Sequence, residues 1–404
     1  MWDAGLPAST AGDKGQRAMD FAFTEEQRAI VETARRFVAT EVTPHVERFE
    51  REETYDREIV RKMGALGLTG GTIPEAWGGA GLDHVTLSML LEELAYVDVT
   101  TAVYAGWPSC SLGRPILLYG SDALKERYLR ALCAGEIVGA TGITEPHSGT
   151  DIVRRMETTA RREGDHYVLD GTKIWISNVR HADFFLTYGT VDKSKGMRGV
   201  TCFVVDRATP GITIQPIRNK QGARSQETGQ IFFDGVRVPA SNRILPEGEG
   251  YKALMCGTEI GRLACAARAN GQLRACLDAA TAYAKTREVF DQPIGRFELV
   301  QGKIAAMKVA LEASTLLTRK LAWLLDRGEA RVQEAASIAK LFATDSLMQA
   351  ATEAYQIHGA YGAAEEYKVG RYFRDAKIMQ IYDGANEIHQ QIVGEWELGY
   401  RQAR

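Results

Sequence analysis

Between residues 140 and 242 the hydrophobic pattern of this chain changes period, and no other feature constrains its fold as much. Before and after that segment, apolar residues recur at helical spacing. Within it, short apolar runs are separated by turn residues. Helical blocks that flank a β block bury their apolar faces as separately packed layers, so an α+β architecture is expected. The boundaries predicted are an N-terminal helical domain over 20–139, a middle β-barrel or sandwich domain over 140–242, and a C-terminal four-helix bundle over 243–404. A chain of 404 residues is too long for one ordinary core, which agrees with this division.

Residues 1–19 are small and polar and lack the apolar region of a signal peptide. They read as a disordered extension, with Met1 or Met19 as the start. Thr24-Glu25-Glu26-Gln27 fits a capping box, and Ile30, Ala34, Phe37 and Val38 follow at helical spacing until Pro44. Further helices are expected at Arg57–Leu66, after Asp83, and over about 101–119 and 121–134. In the β block, Tyr167–Ile176 reads as two short strands joined at Asp170-Gly171, a hairpin signal. Phe184–Tyr188, Thr201–Asp206, Ile212–Pro216, Gln230–Phe233 and Val236–Val238 read as strands, with Pro210-Gly211 and Asp234-Gly235 as turns. Long helices are expected over about 250–287, 298–326, 331–360 and 363–380.

The net charge of −3 gives no reason to expect nucleic acid or an acidic membrane as a partner. No apolar run reaches the roughly 18 residues that span a bilayer, so a cytoplasmic location is expected by default. The six Cys lack a C-x-x-C pair and the seven His lack metal-ligand spacing. Free thiols and no metal site are therefore expected.

The chemistry concentrates in Arg371–Val393, where a basic helical segment breaks at Gly384 and resumes with Ile388, Gln391 and Ile392 in register. Asp383 stands directly before the break. A carboxylate beside a Gly and the unpaired amides of a new helix offers a base and an oxyanion site together. Spacing alone favours a helix–turn–helix connection with a solvated Asp. Four other stretches stand out. Ile143-Thr-Glu-Pro-His-Ser-Gly-Thr-Asp151 is a turn rich in hydroxyls, and Lys173-Ile-Trp-Ile-Ser-Asn178 puts an aromatic in a strand. Arg287-Glu-Val-Phe-Asp-Gln-Pro-Ile-Gly-Arg-Phe297 ends a helix, and Gln356-Ile-His-Gly-Ala360 ends another.

Together, in this order and over about residues 20–400, these motifs resemble the acyl-CoA dehydrogenase family, as does the loop Pro74–Asp83. The resemblance implies an FAD-dependent enzyme that desaturates an acyl-CoA thioester between Cα and Cβ. It assigns cofactor contacts to Ile143, Thr144, Trp175 and Ser177, and substrate contacts to Thr150, Tyr382, Gly384, Glu259 and Arg262. Across a dimer interface it implies further FAD contacts from Arg287, Phe290, Gln301, Gln356, Gly359 and Ala360, and it adds Ala385 and Glu387 near the C-terminal corner. Ser148, Asp291 and Ala360 depart from the family pattern, the last two replacing Gly. A homo-oligomer built as a dimer of dimers, and an electron-transfer flavoprotein as acceptor, are implied partners.

In the family the residue before the Gly is normally Glu and removes the substrate α-proton, while the β-hydrogen leaves as hydride to flavin N5. Here that residue is Asp383. The resemblance also implies that its backbone N–H and a ribityl hydroxyl polarise the thioester carbonyl. Some members carry the base one place before the helix Arg, but that place is Gly261. Asp is one methylene shorter than Glu, so its carboxylate retreats by roughly 1.5 Å. Three explanations are open. The acyl group is cyclic or branched, as in the cyclohexane- and cyclohexene-carboxyl-CoA dehydrogenases that also use Asp. The enzyme is a nitroalkane-type oxidase, although Gln390 stands where those carry Arg. Or it is a non-catalytic flavoprotein subunit. Ala102 replaces the Arg that glutaryl-CoA dehydrogenases use for a distal carboxylate, so an apolar acyl group is expected. Val103–Cys110 would wall its pocket, with Tyr104 and Trp107 equally readable as core. Arg154 and Arg155 read as a solvated turn in preference to a CoA phosphate contact.

Overall fold

The computed structural model describes residues 22–329 and 332–401, so the expected extension over 1–19 lies outside the described residues. Helix α1 (Glu25–Phe37) starts at the expected capping box. Thr24 Oγ1 accepts from the Gln27 N–H, and the Gln27 side chain accepts from the Thr24 N–H, both at 3.1 Å. The helix runs into a π turn over 38–42 and a 3-10 turn over 43–45, where Pro44 has no N–H for a helical ladder. Helices α2 (Val46–Glu52), α3 (Arg57–Ala65), α4 (His84–Val97), α5 (Val99–Gly106), α6 (Gly113–Tyr119) and α7 (Asp122–Cys133) follow. Asp83 caps α4 by accepting from the Thr86 N–H at 2.6 Å. The continuous helix expected over 101–119 is instead two helices. Trp107-Pro108-Ser109 forms a 3-10 turn, and Cys110 leaves the helical region at φ −107°, ψ −120°.

The middle segment contains β1 (Gly139–Gly142), β2 (Thr159–Glu163), β3 (His166–Ser177), β4 (Phe184–Thr190), β5 (Val200–Asp206), β6 (Ile212–Ile217), β7 (Thr228–Pro239) and β8 (Arg243–Ile244). They form one sheet in the order β6-β7-β3-β2-β4-β5-β8, with β1 parallel to β4. The hairpin expected at Asp170-Gly171 is absent: β3 passes through it as one strand, and β7 passes through Asp234-Gly235 in the same way. The two Asp-Gly pairs face each other where the β3–β7 register slips between Leu169↔Val236 and Gly171↔Phe233. The Gly235 N–H donates to Asp170 Oδ1 at 2.7 Å. Residues suited to a tight turn here make facing irregularities that bend a long ribbon. The turn before β3 falls at Gly164-Asp165, between the paired residues Glu163 and His166. Alternate residues of β4 bury on opposite faces. Phe184, Leu186 and Tyr188 pack with Tyr128 and Leu129 of α7, whereas Phe185 packs with Tyr167 and Phe203 inside the sheet.

Beyond α8 (Gly250–Met255) come the long helices α9 (Thr258–Thr286), α10 (Glu298–Asp326) and α11 (Val332–His358), then α12 (Val369–Met379) and α13 (Asn386–Glu397). Helix α9 is central and packs against α4, α10 and α11. Its Ala- and Gly-rich sequence permits this, since a Cβ at Gly271 would lie 2.3 Å from the Glu92 carbonyl oxygen of α4. All six cysteines are free. No described helix is long and apolar enough to cross a membrane.

Candidate active site

The corner between α12 and α13 is held open by its neighbours. Asp383 has φ +55° and Gly384 φ +94°, so two successive residues occupy the left-handed region. Gly does this freely; for Asp it is uncommon and has a conformational cost. Buried Lys340 of α11 compensates by donating to the Gly384 carbonyl at 2.8 Å, the Gln380 carbonyl at 3.3 Å and Asn386 Oδ1 at 2.7 Å. His389 adds a bond from Nε2 to the Asp383 carbonyl at 3.2 Å, with Nδ1 at 3.2 Å from Ser337 Oγ. Burial, with the cations Arg262 and Lys340 nearby, pushes the His389 pKa down to about 4, so its ring is neutral near pH 7. A neutral ring that donates from Nε2 can accept the Ser337 hydroxyl at Nδ1. Among the described residues, the Asp383 N–H donates to no protein acceptor.

The corner faces a cavity of about 140 Å³. Gly261, Ala264 and Arg268 line it from one face of α9, at the i, i+3, i+7 spacing of a helix. Val103, Gly106, Trp107 and Cys110 line it from the segment expected to form a wall, joined by Ser111, Ser177, Gln226, Tyr382 and Asp383. Tyr104 is not part of this wall. It is buried and stacks on Tyr55 with ring centroids 4.9 Å apart. Among the described residues, Asp383 is the one carboxylate on the cavity wall. Its Oδ2 accepts from Arg268 Nη2 at 3.2 Å, and a Cβ built at Gly261 would lie 3.7 Å from its Oδ1. Arg268 carried no motif signal beyond being a charged residue in a run of Ala and Cys. Lys340, Gln226 and Ser111 carried none either. His389 lay in the organising stretch without an assigned role.

The β block meets this corner through Ser177. A buried clamp fixes the turn over 143–151 to β3: Lys173 donates to Glu145 Oε1 at 2.7 Å, and Glu145 also accepts from the Glu157 and Thr158 N–H groups. The Ile174 N–H donates to the Thr144 carbonyl at 2.9 Å. Next along the strand, Trp175 adopts φ +60° and is 58% exposed. Ile143 is half-buried and Thr150 exposed. Arg154 and Arg155 are exposed and lie 3.9 and 3.5 Å from Asp151, as a solvated turn would have them. Arg262 is buried, yet its Nε and Nη1 have no partner, and Glu259 is half-buried one turn earlier.

Another group lies outside the cavity. Arg287, Phe290, Gln301, Gln356, Gly359 and Ala360 are exposed, and the Arg287 guanidinium sits 5.6 Å from the Tyr361 ring centroid. Phe290 and Asp291 adopt φ +51° and +62°, so Asp291 keeps the left-handed conformation expected of Gly. Ala385 is half-buried before α13, and Glu387 is exposed in its first turn.

Models of the acyl-CoA dehydrogenase N-terminal, middle and C-terminal domains match residues 24–136, 140–236 and 248–398. The chain belongs to the acyl-CoA dehydrogenase family. A relative named cyclohex-1-ene-1-carbonyl-CoA dehydrogenase, from Geobacter metallireducens, is 37% identical over 92% of this chain and 97% of its own length. Butyryl-CoA dehydrogenase from Megasphaera elsdenii superposes with a TM-score of 0.90 at 37% identity, covering 94% of this chain and all of that one. A glutaryl-coenzyme A dehydrogenase in complex with glutaryl-CoA superposes with a TM-score of 0.91 at 36% identity, covering 95% and 98%. Acyl-CoA dehydrogenases are FAD-dependent oxidoreductases, and this member has their helical, sheet and helical domains in that order.

Proposed function

We propose that this chain desaturates the acyl group of a CoA thioester between Cα and Cβ, with Asp383 removing the α-proton. One observation carries the reading: among the described residues, Asp383 is the one carboxylate on the cavity wall, with Oδ1 toward side-chain-free space at Gly261. The free N–H of Asp383 is suited to donate to the thioester carbonyl oxygen, so deprotonation and polarisation arise at one residue. FAD, when bound, supplies the acceptor for the two electrons that leave with the β-hydrogen. The residues present fit that cofactor. Trp175 offers an uncovered flat face in the middle of a motif, and Ser177 offers a hydroxyl between it and the cavity. Arg287, Phe290, Gln301, Gln356, Gly359 and Ala360 are exposed and do not line this cavity, which fits contacts made to a second copy in a homo-oligomer. Arg262, whose Nε and Nη1 have no partner among the described residues, is assigned to the thioester end of the substrate, Glu259 to its CoA moiety and Thr150 to its pantetheine arm. An electron-transfer flavoprotein is the proposed acceptor and the cytoplasm the proposed location.

The acyl group we assign is compact, cyclic or branched. A short Asp base suits an α-carbon that sits close to it. The nitroalkane-oxidase reading gains one observation, because a guanidinium does reach Asp383, from Arg268 and not from the place of Gln390. Anaerobic bleaching of the flavin separates the readings, using cyclohexanecarboxyl-CoA, a branched acyl-CoA, a straight-chain acyl-CoA and a nitroalkane. Bleaching by the cyclic or branched thioester, lost in D383N with FAD retained, is expected. Bleaching by the nitroalkane alone, or unchanged turnover in D383N, overturns the reading.

A further inference from the structure

Arg268 sits in Ala264-Cys-Ala-Ala-Arg-Ala269, a run of small residues inside the central helix, and is 6% exposed. A buried cation is costly unless it is paired. Among the described residues its one ion pair is with Asp383, through Nη2 to Oδ2 at 3.2 Å, the Tyr382 ring lies 5.5 Å from the guanidinium, and Nε has no partner.

The backbone of the corner is held by Lys340 and His389, but those bonds end at carbonyl oxygens and leave the carboxylate free to rotate. The Asp383 side chain is about one-third exposed (33%), and among the described residues Arg268 is the side chain that hydrogen-bonds its carboxylate. Resting on the reading of Asp383 as base, we infer that Arg268 is the positioning residue for that base. It holds Oδ2, so that Oδ1 faces the gap at Gly261 and takes the proton. In the step so directed, the Cα–H bond breaks and its proton forms an O–H bond at Oδ1. The Cα–H electron pair becomes the new C=C bond, and the β-hydrogen leaves with its own pair to FAD. Oδ2 stays bonded to Arg268 throughout, and the protonated carboxyl keeps its orientation.

The test uses the FAD-loaded enzyme with whichever thioester bleaches it. R268Q should lower kcat on the order of 10²-fold, the cost of misplacing a base by about 1 Å, with KM changed less than about threefold. An α-deuterated substrate should give a larger isotope effect in R268Q than in the wild type. R268A should fall similarly and regain at least about tenfold in rate with added methylguanidinium, a rescue that general loss of packing would not show. FAD content and the visible spectrum should match wild type. Wild-type kcat in R268Q, or a loss confined to KM, overturns the inference, as does failure of methylguanidinium to restore any rate in a folded R268A. Should R268A not fold, R268K is read instead: kcat about tenfold lower at unchanged KM supports the inference, and unchanged kcat overturns it. D383N separates the two levels. Turnover in D383N sinks the base itself, whereas a dead D383N beside a fully active R268Q sinks only the role of Arg268.

Discussion

The same dipeptide does two jobs in this molecule. Asp170-Gly171 and Asp234-Gly235 face each other in the sheet, and Asp383-Gly384 forms the corner over the cavity. In the sheet the Asp residues keep ordinary backbone angles and the Gly residues take the unusual ones, with φ +59° at Gly235. The Asp170 carboxylate is satisfied by a backbone N–H, which makes it part of the fold. At the corner Asp383 itself is left-handed, an arrangement that costs on the order of 1–3 kcal/mol and persists only where neighbours enforce it. There Lys340 and His389 hold the carbonyls, and the carboxylate is left to the cavity and Arg268. At the corner, other side chains take over the backbone's needs and leave the carboxylate available for the proposed role as base.

Replacing Asp with Asn at both places tests that distinction most strongly. D383N should lower turnover by at least about 10³-fold, within the range a positioned general base contributes. D170N should leave turnover unchanged, because an amide oxygen still accepts from Gly235. Equal losses in steady-state assays of the two variants would break the comparison. The next effect concerns Gly. A Cβ at Gly384 would sit 2.9 Å from His389 Nε2, at φ +94°, whereas a Cβ at Gly235 meets nothing within 4 Å. G384A should therefore lower both the melting temperature and kcat, the latter by about 10–10²-fold, since it moves the proposed base. G235A should cost about 1–2 kcal/mol for its left-handed angle and leave kcat alone. Thermal unfolding with parallel assays reads both.

How far the sequence reached follows the same division. Local chemistry was legible: the Thr24 capping box, the Asp83 cap, and the helix break at Gly384 each depend on residues a few positions apart. Asp-Gly was misleading in the sheet, because a bulge and a hairpin ask for the same residues and only strand pairing distinguishes them. β2 was not seen because none of Arg161, Arg162 and Glu163 is buried, which masks its alternation. Pro108 marks a break that apolar periodicity on both sides had concealed. In the site, Asp383, Tyr382 and Ser177 could be named from motifs. Arg268, Lys340 and His389 could not be paired with them, because those partners come from different helices and meet only in the packed bundle.

His389 allows a smaller, pH-dependent test of how the corner is held. Its folded pKa, pushed down to about 4, lies below the value of about 6.5 expected when unfolded. Between those values the unfolded chain binds the proton more readily, so the contribution is present above pH 6.5 and is lost as pH falls toward 4. Melting temperatures of wild type should drop between pH 7 and 5 by more than those of H389Q, which has no imidazole to protonate. Equal drops would mean that the neutral ring is not what holds the Asp383 carbonyl.

The smallest expected effect belongs to the sheet. D170A removes the acceptor of the Gly235 N–H, a bond on an exposed stretch where water can replace it. The net worth of such a bond is about 0.5–1.5 kcal/mol, because folding exchanges it for one with solvent. D170A should therefore lower stability by about 1 kcal/mol in denaturant titration, while D170N, which keeps the oxygen, should lose less. Both should bind FAD and turn over as wild type does. If D170A lowered kcat instead, the bend in the β3–β7 ribbon would be transmitted to Trp175 and Ser177 at the far end of the same strand. The sheet pair would then be part of the site's geometry, and the separation between a structural and a reactive Asp-Gly would fail at its structural end.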